Sequence, residues 1–337
     1  MPDRRAEATA FWITGPGEGR LQDEPLRPRA PDELLLRTLR SAVSKGTELL
    51  VFGNRVPRDQ YQLMACPHMA GSFPFPVKYG YCNVGCVEEG PPALSGRRVF
   101  SLFPHQTRFV LPARDALPIP DEVPTERAVM AASMETAINA TWDSRIAVGD
   151  RVAVIGLGVI GGLVAYLARA IPGVTVTAYD VNPDRRALAD RLGVAFAPAP
   201  TAAATADKSI TTGQAPYDVV FHTSASADGL QTALAVSGVE TRIIELSWYG
   251  DRVIPLGLGS FFHSQRLQLI SSQVGRIPPA HRSRWTHRRR LELAVSLLRD
   301  PLLDCFLSAE SAFSQLPQTM EQLAQRPGGT LCHSIVY

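Results

Sequence analysis

The sequence of 337 residues predicts an α/β protein in two parts, a β-rich first domain and a doubly wound, mostly parallel sheet. Three observations predict this fold. Short apolar segments separated by Pro and Gly occupy residues 1–118, as in compact β domains. From residue 150 onward, apolar strands alternate with helical patterns, which is typical of parallel sheets with right-handed crossovers. A glycine-rich turn joins the first of those strands to its helix.

The first domain is predicted to span residues 1–118 and to consist mainly of short strands. The clearest of these are apolar runs at residues 33–39, 85–90, 97–103 and 107–113. Pro118, Pro120 and Pro124 mark the passage out of this domain. A helical pattern follows at residues 122–143, in which Pro124 sits early enough for a helix to tolerate it.

Residues 119–275 are predicted to form the second domain. Its strands are expected at residues 151–158, 175–180, 217–225, 241–250 and 267–275, and its helices at 161–171, 183–193 and 227–237. Residues 203–215 are rich in Ala, Thr and Gly and predict a surface loop or a weak helix. The last segment, 276–337, contains an amphipathic helix at 285–304 and a final strand, and we expect it to return to the first domain.

The turn at residues 156–161 has the sequence GLGVIG and fits the pattern G-x-G-x-x-G. That pattern binds dinucleotides when a strand precedes it and a helix follows, and both conditions hold here. Gly156 permits a tight turn, Gly158 lets the backbone approach a pyrophosphate, and Gly161 lets the helix pack on the strand. Val159 and Ile160 belong to the same predicted binding turn, where the helix N-terminus offers N–H groups to phosphates. The alternative is a glycine-rich turn without a ligand.

Asp180 ends the next predicted strand, where a carboxylate that binds the adenosine ribose is expected. A carboxylate accepts hydrogen bonds from the ribose hydroxyls and repels a 2′-phosphate, so Asp180 favours NAD over NADP. Arg185 favours the opposite choice, because an arginine there can pair with that phosphate. Val181, directly after Asp180, is a further candidate contact. We therefore expect NAD, with NADP as the less favoured cofactor.

Composition and charge exclude several classes of protein. Hydrophobic residues make up 45% of the chain, and the formal net charge is +2, so neither nucleic acid nor a membrane is predicted as a partner. No apolar run is long enough for a membrane helix or resembles a signal peptide. The basic run at residues 281–290 is expected to be a solvated helix face. Five scattered cysteines predict reduced thiols, and together these features predict a cytoplasmic protein.

Four further segments carry a resemblance to a known family: SAVSKGTE (41–48), PVKYGYCNVG (76–85), GRRVFSLFPHQTRFVLPA (96–113) and ELSWYG (245–250). With the glycine turn, they make the chain resemble the medium-chain dehydrogenase/reductase superfamily over nearly its whole length. Within it, the chain resembles a zinc-poor branch that includes relatives of bacteriochlorophyllide dehydrogenase. The resemblance implies a GroES-like catalytic domain, a Rossmann dinucleotide-binding domain, and a homodimer joined edge to edge through its nucleotide-domain sheets.

The zinc motifs of that superfamily are altered in this chain. Members with zinc carry C-G-[ST]-D where residues 45–48 are KGTE, so Lys45 or Ser44 replaces the cysteine. They carry G-H-E where residues 80–82 are GYC, so Tyr81 replaces the histidine.

The remaining metal ligands of the superfamily are missing as well. No thiol or carboxylate stands at the third-ligand position near residues 132–134, and a short stretch around residues 104–106 replaces the four-cysteine lobe. Catalytic zinc needs three protein ligands and an open position. We therefore predict no metal.

Without zinc, a side chain must move the proton, and hydrogen-bond donors must stabilise the developing oxyanion. Tyr81 is the first candidate, because it replaces a zinc ligand, and Lys45 could lower its pKa or donate the proton itself. Glu48 and Glu135 are the carboxylate candidates, with Glu135 as a base, a substrate contact or the ion-pair partner of Lys45. His105 is a loop residue that could touch substrate. A packed Tyr81 and a solvated Lys45 remain open alternatives.

Ligands of doubly wound sheets bind outside the carboxyl ends of the strands. The residues that end two predicted strands there, and that we expect to approach the cofactor or substrate, are His222, Thr223, Ser224, Ser247 and Trp248. For Trp248, packing in a dimer or interdomain contact is the alternative. Thr136 is expected near the nicotinamide, as the resemblance implies.

The sequence thus predicts an NAD(H)-dependent, zinc-independent oxidoreductase that interconverts an alcohol and a carbonyl on a small biosynthetic metabolite. One alternative is an NAD(P)H-dependent reductase of C=C bonds, of the quinone or enone type, which need only bind the cofactor and polarise a carbonyl. A second alternative is a nucleotide-binding protein without catalytic activity, because fold alone does not settle function.

Overall fold

The computed structural model describes residues 7–200, 216–326 and 328–337. The loop or weak helix expected at residues 203–215 lies outside them. The chain divides into two compact units, Met1–Ala132 with Glu292–Tyr337, and Ser133–Leu291. We call these the first unit and the second unit. Among the described residues, no helix is both long and apolar enough to cross a membrane.

The regular elements follow one another in the order that the alternation of apolar segments predicts. The strands are β1 (Glu7–Gly15), β2 (Glu18–Pro25), β3 (Glu33–Val43), β4 (Ala70–Gly71), β5 (Val77–Lys78), β6 (Asn83–Glu89), β7 (Arg98–Ser101), β8 (Arg108–Pro112), β9 (Leu117–Pro118), β10 (Arg151–Ile155), β11 (Thr175–Asp180), β12 (Ala195–Pro198), β13 (Tyr217–His222), β14 (Ser237–Glu245), β15 (Gln268–Ser271), β16 (Leu307–Ala312) and β17 (Cys332–Val336). The α-helices are α1 (Lys45–Phe52), α2 (Thr125–Ala128), α3 (Ala131–Ser144), α4 (Val159–Ala168), α5 (Arg186–Leu192), α6 (Ala227–Ala235), α7 (His287–Leu297) and α8 (Leu316–Gln325).

The first unit consists of two sheets whose neighbouring strands are antiparallel except for β16 and β17. One sheet has the order β2-β1-β5-β4, and the other runs β16-β17-β3-β6-β7-β9 with β8 paired to β3. Strand β17 pairs with β3 from His333–Val43 to Val336–Arg40, so the last strand of the chain completes a sheet of the first unit. Leu34, Leu36 and Phe109 belong to the buried core of that sheet.

The second unit is a six-stranded parallel sheet with the order β12-β11-β10-β13-β14-β15. The chain proceeds outward from β10 on one side and then from β13 on the other, so the two directions of winding meet between these two strands. Ligands of such sheets bind outside the carboxyl ends of the strands at this switch point. Helix α6 packs on the sheet through Leu230 and Leu234, which are buried against Val220 and Ile243.

The predicted fold class, a β-rich part and a doubly wound parallel sheet, is confirmed. The division between the units falls within α3 and α7, whereas residues 118 and 275 were the predicted domain ends. The helix predicted at residues 122–143 is interrupted, since α2 ends at Ala128 and α3 begins at Ala131. No disulfide joins any of the five cysteines, all of which lie among the described residues.

Candidate active site and cofactor site

The glycine turn of the second unit has the geometry that its three glycines predict. Gly156 has a φ of 99°, a backbone conformation that residues with a Cβ rarely adopt. A Cβ on Gly161 would lie 1.9 Å from the carbonyl oxygen of Gly156, so only glycine lets α4 pack this close to the turn. Thr223 donates a hydrogen bond of 2.6 Å to the same carbonyl oxygen and holds the turn against the end of β13.

The N-terminus of α4 is open toward the space in front of the turn. Gly158 is its N-cap and provides no side-chain hydrogen bond, and a Cβ there would meet no atom of the described residues within 4 Å. Val159 and Ile160, both half-buried, form the first turn of the helix. Unbonded N–H groups with free space before them fit a pyrophosphate. The residues of this turn therefore fit a dinucleotide.

Asp180 ends β11, and its carboxylate is fixed by two backbone N–H groups. Leu157 of the glycine turn donates to Oδ2 at 2.6 Å, and Asn182 donates to Oδ1 at 2.8 Å. The carboxylate is thereby tied to the turn itself, as a ribose-binding group must be. Val181 is 87% exposed, and Arg185 is half-buried in the short helical turn that follows.

A hydrogen-bonded group lies at the carboxyl ends of β13 and β14, and we call it the His222 network. Its members are His222, Ser224, Ser226, Glu245, Ser247 and Tyr249. His222 is fully buried, with Nδ1 2.8 Å from a carboxylate oxygen of Glu245 and Nε2 2.7 Å from the hydroxyl of Ser224. Trp248, next in the chain to Ser247, is half-buried, and Thr136 on α3 is half-buried as well.

A second hydrogen-bonded group, the Glu48 network, lies in the first unit. Its members are Ser41, Ser44, Glu48, Tyr81, His105 and Tyr337. Glu48 accepts a hydrogen bond of 2.8 Å from the backbone N–H of Ser44, and its other oxygen lies 2.9 Å from Nε2 of His105. Nδ1 of His105 lies 2.7 Å from the hydroxyl of Ser41, which in turn lies 3.0 Å from the hydroxyl of Tyr337.

Tyr81 ends this network on the side of Ser44, to whose hydroxyl it donates a hydrogen bond of 2.6 Å. Burial above all, and then the nearby Cys82 and Glu48, raise the pKa of Tyr81, while hydrogen bonds with Ser44 and Thr47 oppose the shift. The expectation that Lys45 lowers this pKa stays a prediction. The ammonium group of Lys45 donates to the carbonyl oxygen of Thr330.

His105 and Glu48 are interior residues, each with 1% of its surface exposed. The expectation of a loop histidine that touches substrate is therefore corrected. Hydrogen bonds to Glu48 and Ser41 use both ring nitrogens and hold the ring inside the first unit. If His105 and Glu48 take part in a reaction, they do so through Ser44 and Tyr81.

The residues at the superfamily's zinc positions do not fit a metal. Tyr81 and Ser44 are hydrogen-bonded to each other, and Lys45 carries a positive charge. Cys82 is the one thiol at these positions, and it is 3% exposed. Within the described part of the chain, no group of three or more His, Cys, Asp or Glu side chains could hold a metal ion.

Glu135 lies in the second unit and is paired with Arg290, not with Lys45. Arg290 is 1% exposed and donates to Glu135 at 3.0 Å, to Asn139 and to the carbonyl oxygen of Val274. Burial raises the pKa of Glu135, and the charge and hydrogen bond of Arg290 oppose the shift. The group fixes α3 to the segment after β15, which makes the ion-pair interpretation of Glu135 the one that the geometry supports.

Several members of these groups were not singled out from the sequence. Ser41, Tyr337, Glu245 and Arg290 each act through partners that are distant in the chain. Glu245 alone carried a usable signal, because the parallel register places it beside His222 at the ends of adjacent strands. Arg290 lay in the basic run that we expected to be solvated, and its burial depends on the distant Glu135.

A glycine turn at the switch point of a parallel sheet, in a chain that also has a unit of mainly antiparallel sheets, is typical of two-domain proteins that bind a dinucleotide. No protein-family model matches the chain. Among curated proteins it is similar to D-guloside 3-dehydrogenase of Escherichia coli K12, with 27% identity over 206 residues, 60% of this chain and 59% of that protein. The chain thus matches less than two thirds of the length of this relative.

Solved structures resemble the fold over almost the whole chain. One is a zinc-binding dehydrogenase from Sinorhizobium meliloti 1021 bound to NADP, with a TM-score of 0.75, 17% identity, and coverage of 98% of this chain and 99% of that one. Another is an alcohol dehydrogenase from E. coli CFT073 in complex with NADH, with a TM-score of 0.75, 13% identity, and coverage of 98% and 100%.

The homologues and structural neighbours are members of the medium-chain, zinc-type alcohol dehydrogenase superfamily, which confirms the resemblance predicted from the sequence. The two units correspond to the GroES-like and Rossmann domains of those proteins. The assignment to a zinc-poor branch stays a prediction.

Proposed function

We propose that the protein is an NAD(H)-dependent, zinc-independent dehydrogenase that interconverts a hydroxyl and a carbonyl on a small, polyol-like biosynthetic metabolite. The observation that carries the proposal is the hydrogen bond between Tyr81 and Ser44, which stand where the zinc-containing members have metal ligands. The name of the E. coli relative, which acts on a guloside, favours a sugar-like substrate. When bound, the nicotinamide supplies or accepts the hydride.

The side chains of the first unit would handle the proton. Because burial raises the pKa of Tyr81, its phenol stays protonated at neutral pH and can donate to a carbonyl oxygen during reduction. Ser44, which is half-buried, can pass a proton from solvent back to Tyr81, since a serine hydroxyl accepts one proton as it donates another. Glu48, which His105 contacts through Nε2, accepts the backbone N–H of Ser44 and so holds the residue whose hydroxyl accepts from Tyr81.

Asp180 is the basis for proposing NAD. Its carboxylate is held at the end of β11 by the N–H of Leu157, where ribose hydroxyls can donate to it. A 2′-phosphate would meet that negative charge instead. We also propose a homodimer through β15, an edge strand on which Leu269 is 39% exposed, and the molar mass in solution tests this. The cysteines, none in a disulfide, support action in the cytoplasm.

The test is turnover with a panel of polyols and their ketones, followed by NADH absorbance, for the native protein, Tyr81→Phe and Tyr79→Phe. Tyr79 is a matched control, because it is buried nearby and its hydroxyl donates to the carbonyl oxygen of Met64. Tyr81→Phe should lower kcat by about 100-fold or more, with NADH affinity unchanged. Tyr79→Phe should leave kcat within a few-fold.

Four outcomes would contradict the proposal. A Tyr81→Phe variant with native turnover removes Tyr81 from the chemistry. Reduction of enones without any activity on alcohols or ketones favours the C=C reductase. Binding of NADH without turnover of any substrate favours a nucleotide-binding protein. Stoichiometric zinc in the purified protein, together with loss of activity on chelation, would contradict zinc independence.

A further inference from the structure

The His222 network surrounds a single imidazole with groups that determine where its protons lie. Nδ1 of His222 faces the carboxylate of Glu245 at 2.8 Å. That carboxylate also accepts hydrogen bonds from the N–H of Ser247 at 2.7 Å and the hydroxyl of Tyr249 at 3.0 Å. On the other side of the ring, Nε2 faces the hydroxyl of Ser224 at 2.7 Å. Both nitrogens are thus in contact with a partner.

The carboxylate decides the tautomer. A lone pair on Nδ1 would face the negative charge of Glu245, so a neutral His222 carries its proton on Nδ1. Nε2 then has a lone pair and accepts the only proton of the Ser224 hydroxyl. Ser226, whose hydroxyl lies 2.9 Å from that of Ser224, completes this arrangement as a donor to Ser224. In the neutral network, Ser224 has no proton to offer to a ligand.

Ser224 nevertheless lies where a dinucleotide would approach. It is exposed, and a Cβ placed on Gly156 of the glycine turn would lie 2.9 Å from its backbone and Cβ atoms. It therefore borders the turn whose open N–H groups fit a pyrophosphate. The oxygens of a dinucleotide in this place are phosphate or ribose oxygens, and a phosphate oxygen can only accept hydrogen bonds.

We propose that His222 takes up one proton from solvent when the dinucleotide binds, and that this frees the hydroxyl of Ser224 to donate to a cofactor oxygen. With both nitrogens protonated, Nε2 donates to Ser224, and the hydroxyl proton turns outward to the ligand. No covalent bond changes, and Glu245 stays ionised throughout. The inference rests on the proposed function in one respect, namely that the ligand is NAD(H).

The charged groups that face His222 support the uptake of a proton. Glu245 lies against the ring from β14, and although burial raises the pKa of Glu245, its hydrogen bond and charge interaction with His222 lower it overall. Tyr249 lies 3.3 Å from Nδ1, and Arg252 lies over the ring of Tyr249 at 5.6 Å and donates to the carbonyl oxygen of Ala225. From α6 the nearest position is Gly229, which has no charge. Glu245 is thus the charge in direct contact, and it stabilises the imidazolium.

The experiment is calorimetric titration of the full-length protein with NADH between pH 6 and 9, in buffers of different ionisation enthalpy. The difference between buffers gives the number of protons taken up. We expect uptake that approaches one proton per NADH over the pH range in which His222 is neutral in the free protein and protonated in the complex. Over that range the affinity should fall by up to ten-fold per pH unit.

Ser224→Ala and His263→Gln are the matched variants. Ser224 is exposed, so its alanine variant should fold normally, but it should lose the pH dependence and bind NADH more weakly than the native protein at pH 6. His263, an exposed histidine of the same unit, should be replaceable without effect on the uptake. Histidine resonances followed by NMR should show one imidazole that becomes protonated on addition of NADH, and it should be absent in His222→Gln.

The outcomes separate this inference from the proposed function. Native protein that binds NADH without proton uptake at any pH would overturn the inference alone. Uptake that persists in Ser224→Ala, or that disappears in His263→Gln, would also overturn it. A native protein that does not bind NADH would overturn the proposed function and the inference with it.

Discussion

The first and second units each place a histidine between a carboxylate and a serine, and the two arrangements differ in what the serine can reach. In the first unit, Ser41 is 1% exposed and its hydroxyl meets His105 and Tyr337. In the second unit, Ser224 is exposed at the edge of the glycine turn. The same three residue types therefore form a structural support where the serine is buried and a ligand contact where it is exposed.

The two histidines also face their partners with opposite nitrogens. Glu48 contacts Nε2 of His105, whereas Glu245 contacts Nδ1 of His222. In both cases the carboxylate selects the tautomer, and the serine meets the remaining nitrogen. The difference shows that residue types alone do not determine the role of such a group. The role is determined by the position of the group in the fold and by its access to solvent.

The largest expected effect is on the free energy of unfolding, and it compares the loss of His105 with the loss of His222. His105→Leu leaves the buried carboxylate of Glu48 with the N–H of Ser44 as its remaining partner, and removing a hydrogen-bond partner from a buried charged group costs about 3 kcal/mol or more. His222→Leu should cost less, about 1–3 kcal/mol, because Glu245 keeps the N–H of Ser247 and the hydroxyl of Tyr249. Urea unfolding followed by circular dichroism measures both losses. A larger loss in His222→Leu would contradict the comparison.

The next largest effect is on the preference between NADH and NADPH, and it tests whether Asp180 of the second unit contacts the dinucleotide as proposed. Asp180→Asn removes the charge that disfavours a 2′-phosphate while keeping the size of the side chain. The ratio of NADPH to NADH dissociation constants should fall by about ten-fold, which is about 1.4 kcal/mol. Asp190→Asn, at an exposed position of α5, is the control and should leave the ratio unchanged. Equal effects of the two variants would mean that overall charge sets the preference.

The smallest expected effect is the difference in stability between removing a serine hydroxyl that is hydrogen-bonded and removing one that is not. Ser41→Ala removes a buried hydroxyl with two partners and should lower the free energy of unfolding by about 1 kcal/mol, with NADH affinity unchanged. Ser101→Ala is the control, because Ser101 is equally buried but its hydroxyl has no hydrogen-bond partner among the described residues. It should be neutral or slightly stabilising. If both variants lose the same stability, the hydrogen bonds of Ser41 contribute nothing measurable.

Local sequence was sufficient to predict the glycine turn and the strand that ends at Asp180. Both depend on residues a few positions apart and on backbone geometry that only glycine allows. The order of elements around β10 followed from the same short-range patterns. Strand β12 was not predicted, because Ala195–Pro198 is short, half-exposed and ends in proline, features that are also typical of a loop.

The environment of the candidate catalytic residues could not be predicted in the same way. His105 stands in a loop-like stretch of sequence, and its burial arises from Glu48 and Ser41, which lie 57 and 64 positions away. The pairing of Glu135 with Arg290 spans 155 positions. No local period encodes such contacts. The roles of the candidate residues stay predictions, and their partners depend on contacts between distant segments within each unit.

The pairing of β17 with β3 has a consequence for the order of folding during synthesis. All residues of the second unit emerge from the ribosome before β17, whereas the sheet that contains β3 remains incomplete until residues 332–336 have been made. The second unit can therefore reach its native state on the nascent chain first. Until β17 arrives, β3 presents an open edge of backbone donors and acceptors, which is the kind of surface that chaperones shield.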